Sequence, residues 1–142
     1  MELFNIVGSQ KLDGNEHSRT LDPRTKEDLW SIPVANGTDL DNAVKAADKA
    51  FKSLRSLSLE KRQQCVSALA EVLTANRADI HTILAKETGK SDLLTNIEID
   101  GALDFINFIT SQSVPNTVDY KDDKIKIVSI YPPISIVSAI CP

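Results

Sequence analysis

Residues 92–112 read DLLTNIEIDGALDFINFITSQ, the longest helical pattern in the 142-residue chain. Spaced 100° apart, Asn96, Asp100, Asp104, Asn107 and Ser111 share one polar face. Leu94, Gly101, Ala102, Phe105, Phe108 and Ile109 share the opposite, apolar face, and Glu98 falls in the middle of it. A carboxylate among apolar neighbours needs a hydrogen-bonding partner or takes a raised pKa. Two readings stay open for Glu98. It is either a structural ion pair or amide clamp, with Arg62 as the partner at hand, or a general acid or base in a pocket.

Three shorter helical patterns precede this stretch. Thr38 can cap the first, with Asp41 near its positive end, and its stripe runs Leu40, Val44, Ala47, Phe51 and Leu54. Ser58 caps the second, whose stripe runs Leu59, Arg62, Val66, Leu69, Ala70 and Leu73. Asn76 with Asp79 opens the third, which carries Ile80, Ile83 and Leu84 and stops at Gly89. Before the helices, Leu3–Val7 and Leu29–Val34 read as short strands, with Pro33 confining the second to an edge. Gly8-Ser9 and Asp13-Gly14-Asn15 mark turns, and His17 falls in a polar turn region.

After residue 112 the period changes from helical to alternating. Lys124 to Tyr131 reads as a β-strand, and Ile134 to Cys141, beyond Pro132-Pro133, is apolar on both faces. Asp119 to Lys124 reads as a solvated hairpin connection, within which Tyr120 acting with Lys124 is the acid–base alternative. The predicted fold is α+β, mainly α, in a single domain spanning 1–142. About four helices would follow short N-terminal strands and precede a C-terminal β-hairpin. A strand apolar on both faces is normally sandwiched in a larger sheet. A homodimer or higher oligomer joined through the C-terminal strands is the simplest cover for it.

Composition limits the function classes. The chain is 42% hydrophobic and 25% charged, with a net charge of −4, which gives nucleic acid or an anionic membrane no basic face to bind. It has no apolar run of ~20 residues and no signal-peptide pattern, so a cytoplasmic location without membrane contact is expected. Cys65 and Cys141 lack the spacing for a zinc site, and no metal is predicted. His17 and His81 read as surface residues. Neither GxGxxG nor GxxxxGK[ST] occurs, so no cofactor is predicted.

Several blocks, in order, resemble the aldehyde dehydrogenase family. His17 to Thr25 is similar to the segment ending in the family's "NPaT" turn, and Asp39 to Phe51 to its "D(v)d.AV.aA..AF" helix. Arg62 matches the arginine of the next helix, Glu87-Thr88-Gly89-Lys90 the "E(t)GK" helix end, and Glu98 the glutamate that follows. Pro133 to Pro142 resembles "P.GVv.aI.PWN", with Ser135 and Ser138 in place of the two usual glycines. The resemblance implies that the oxyanion-holding asparagine, the nucleotide-binding segments, the general-base glutamate and the catalytic cysteine lie beyond residue 142. It therefore implies a chain that does not oxidise aldehydes with NAD by itself. Two uses remain open. One is a cofactor-independent cyclisation, isomerisation or dehydration of a small molecule, with Glu98 and, more weakly, Tyr120 as catalytic residues. The other is a non-catalytic binding or assembly module or a fragment without activity of its own; a third, less favoured, is one segment of a working NAD(P)-dependent dehydrogenase.

Overall fold

The computed structural model describes residues 3–114 and 116–141. Met1, Glu2, Pro115 and Pro142 lie outside the described residues, the last of them with the end of the Pro133–Pro142 segment. The N-terminal part is two antiparallel hairpins. β1 (Asn5–Val7) and β2 (Gln10–Leu12) turn through Gly8. β3 (His17–Leu21) and β4 (Asp28–Pro33) pair with Thr20 opposite Trp30 and an irregularity at Thr20/Leu21. His17 thus lies in a strand rather than a turn, because it pairs with Pro33, and its Nε2 sits 3.0 Å from Asp13 Oδ1.

The connection between β3 and β4 is organised by Asp22, one of four buried residues among those described. Its Oδ1 accepts from the backbone N–H of Arg24 at 2.8 Å and of Thr25 at 3.2 Å. Those amides, the Arg24 one above all, hold the Asp22 carboxyl below its ordinary pKa.

Four helices follow, each opened by a polar residue. α1 (Gly37–Leu54) is capped by Asn36, not Thr38, which lies inside its first turn. Asn36 wins because Asp39 stands three residues on and closes a reciprocal capping box. Asn36 Oδ1 accepts from the Asp39 N–H at 3.0 Å, and Asp39 Oδ2 accepts from the Asn36 N–H at 2.9 Å. α2 (Leu59–Ala75) is capped by Ser58 and α4 (Asp92–Ser111) by Ser91. α3 (Arg77–Thr88) begins after Asn76 without a side-chain cap bond and ends at Gly89, whose φ of 68° requires the left-handed conformation.

Gly89 also ties the two halves together. A Cβ added there would lie 2.9 Å from Pro23 Cγ, so the Asp22 turn packs directly on the end of α3. The sequence "ETGK" and the sequence "DPRT" are therefore parts of one corner.

α4 packs on both α2 and α3. The first half of α2 faces the last half of α4: Gln63 donates to the Gln112 carbonyl at 2.6 Å. Leu73, near the end of α2, shares a cleft with Glu98 and Ile99, so the two helices run antiparallel. The α4 residues turned inward are Thr95, Ile99, Leu103, Ile106 and Thr110, a stripe at helical spacing.

The C-terminal hairpin is β5 (Thr117–Lys121) with β6 (Lys126–Ser129). Tyr120 is consequently a strand residue, opposite Ile127, and the turn is shorter than the charged run suggested. Asp122 makes it so: its Oδ1 accepts from the N–H groups of Lys124 at 2.7 Å and Ile125 at 2.6 Å. Ile134 to Cys141, expected as a strand, is assigned no strand and sits at no sheet edge. Its pattern calls for neighbours on both sides, and the described residues supply neither.

Little apolar surface is closed by the chain itself. Ile99, 5% exposed, is the only large apolar side chain buried among the described residues. The accessible surface is 11226 Å². A monomeric protein of this mass that closes its own core exposes about 7,200 Å².

Candidate functional site: the open face of α4 and the cleft beside Glu98

The apolar arc that the sequence places around Glu98 exists, but it faces outward. Leu94, Ile97, Phe105 (63% exposed) and Phe108 (61% exposed) line it on α4. Since nothing among the described residues covers that arc, Glu98 is exposed rather than enclosed. At its edge lies an apolar cleft of about 180 Å³ between α2, α3 and α4, lined by Leu73, Ile80, Leu84, Glu98, Ile99 and Ala102.

Glu98 is paired, though not with the expected residue. Lys90 Nζ donates to Glu98 Oε2. The left-handed turn at Gly89 reverses the chain between α3 and α4, which brings Lys90 back alongside the second turn of α4. Arg62 sits elsewhere because α2 and α4 are antiparallel. It shares a groove with Ile109 and Thr110 of α4 and with Gln112 just beyond that helix. From Glu98 to Ile109 is eleven residues of helix, about 16 Å along the axis. The signal that names Lys90 was legible in principle: a helix-ending glycine followed at once by a lysine and a serine cap.

Other α4 side chains fasten α3. Arg77 donates to Asp100 Oδ1 at 2.6 Å and to Asn96 Oδ1 at 3.0 Å. His81 Nε2 stands 3.8 Å from Asp92 Oδ1. The polar face of α4 thus serves the α3 junction.

Among the described residues Trp30 Nε1 is buried without a hydrogen-bond partner, and so is Arg62 Nε. Arg62 lies where two apolar grooves meet. One, about 280 Å³, runs between α2 and the end of α4 through Leu59, Val66, Ile109 and Val114. The other, about 360 Å³, runs between α1 and the tail, with Phe51 and Leu54 on one wall and Pro133 to Val137 on the other. A buried donor left unpaired costs on the order of 1–3 kcal/mol.

Tyr120 is exposed on the hairpin and is not among the residues that line the Glu98 cleft. Its hydroxyl donates to Asp122 Oδ2 at 2.8 Å, and that bond raises the phenol pKa. On the next residue back, Asp119 accepts from the Ser129 hydroxyl at 2.6 Å and from Thr117, which lowers its pKa, the Ser129 bond most. These groups close the hairpin on itself.

Among the described residues no group of three or more His, Cys, Asp or Glu is arranged to hold a metal ion. No helix among them is long and apolar enough to cross a membrane.

The chain matches the aldehyde dehydrogenase family over residues 10–142. It is 30% identical over 138 residues to the aldehyde dehydrogenase LUC3 of Fusarium sp, covering 97% of this chain and 30% of that protein. The N-succinylglutamate 5-semialdehyde dehydrogenase of Vibrio cholerae is 38% identical over 85 residues, covering 60% of this chain and 18% of its own. Among solved structures, the NAD-dependent benzaldehyde dehydrogenase from Corynebacterium glutamicum superposes with a TM-score of 0.75 at 24% identity, over 83% of this chain and 27% of that one. A 3,6-anhydro-L-galactose dehydrogenase superposes with a TM-score of 0.78 at 19% identity, over 89% and 28%. The chain spans about 30% of the length of the curated relatives that it matches end to end. Since the family match spans residues 10–142 of the 142, this chain belongs to the aldehyde dehydrogenase family.

Proposed function

We propose that this chain is an assembly module of the aldehyde dehydrogenase fold, which works by associating with other polypeptide and does not oxidise aldehydes alone. The observation that carries this reading is the open apolar surface. α4 carries apolar side chains on two sides of its polar face, and an apolar helix side is stable when it is covered. Here one side of it packs on α2 and α3, and the other presents two phenylalanines to solvent.

The NAD named for the Corynebacterium relative does not fit the residues present. Among the described residues the sheets are three separate two-stranded antiparallel hairpins. A dinucleotide needs a strand, a glycine-rich turn and a helix in one parallel unit. No step through a nicotinamide is therefore assigned to these residues.

The test is direct. The isolated 142-residue chain incubated with NAD and benzaldehyde should give no NADH, and light scattering should report a species heavier than a monomer. A clean monomer that binds no apolar dye would sink the reading.

A second reading is favoured by one specific observation, the Lys90–Glu98 pair at the mouth of an apolar cleft. In that reading Glu98, polarised by Lys90, moves a proton on a small molecule in a cofactor-independent isomerisation, cyclisation or dehydration. Tyr120 has no part in it unless another copy brings its hairpin there. Glu98→Gln would abolish such a reaction while leaving assembly intact, and an unchanged turnover would end the case for Glu98.

A further inference from the structure

We draw no further inference here: the strongest candidate, the apolar face of α4 that carries Phe105 and Phe108, is an unpartnered surface patch, and nothing in the structure shows what covers it.

Discussion

The corner where the Asp22 turn meets the end of α3 and the tail beyond Pro133 treat their surroundings in opposite ways. At the corner the carboxylates are answered. Asp22 takes two backbone amides, Gly89 lets Pro23 approach, and Lys90 reaches Glu98. In the tail nothing is. Ile134 and Ile140 are 84% and 95% exposed, on a stretch whose alternating apolar pattern suits a strand with neighbours on both sides. The polar junctions are local and close among neighbouring residues, while the apolar faces are left open by the described residues.

Substitutions should separate the two regions. The largest effect is expected at Ile99, the one apolar side chain fully inside the α2–α3–α4 packing. Ile99→Ala should cost about 2–5 kcal/mol, enough to unfold a marginal helix cluster, as read by urea denaturation. A loss under ~1 kcal/mol would mean that the cluster is held by something else.

Next comes Gly89→Ala. An alanine there must take a left-handed conformation costing about 1–2 kcal/mol, and its Cβ must displace the Pro23 ring. Protection against hydrogen exchange of the Gly89 and Lys90 amides, which donate to the Ala85 carbonyl and the Thr88 hydroxyl, should fall with it. If stability is untouched, the corner is not a structural tie.

The hairpin should show an acid-dependent loss of order. The carboxyls of Asp119 and Asp122 have lowered pKa values, the first chiefly through the Ser129 hydroxyl and the second through the Lys124 amide. The unfolded chain then binds protons more readily than the folded one. Their contribution is complete above the ordinary value of 3.8 and is lost as pH falls through the lowered folded values. Amide exchange in residues 117–129 should accelerate over that window, and Asp122→Asn should flatten the dependence.

The smallest effect on folding is expected in the tail. Ile140→Asp should change the stability of the isolated chain by no more than about 0.5 kcal/mol, because the side chain is already in water. The same change should abolish association. A variant that unfolds the free chain would show that the tail belongs to its core after all.

Much of this was legible because it is local. The four helices, the Ser58 cap and the stop at Gly89 depend on residues within a turn of one another. The order of the "DPRT", "AVKAADKAF" and "ETGK" blocks was enough to point to the aldehyde dehydrogenase family. Even the cap that was misplaced, Thr38 for Asn36, was decided by a carboxylate three residues away.

The candidate site was less legible because it depends on what packs where. Periodicity established that Leu94, Phe105 and Phe108 share a face with Glu98. It could not say whether that face turns inward, since a helix apolar on most sides offers two equivalent ways to pack. The sequence by itself determined the elements, their caps and the family. Only the tertiary structure decided that Thr95 and Ile99 point into the bundle, that Lys90 rather than Arg62 holds Glu98, and that Arg62 Nε is left without an acceptor. The physical reason is that caps and turns are settled by hydrogen bonds within a few residues. Burial and charge pairing depend on which helices run antiparallel, and on how much polypeptide is present to cover them.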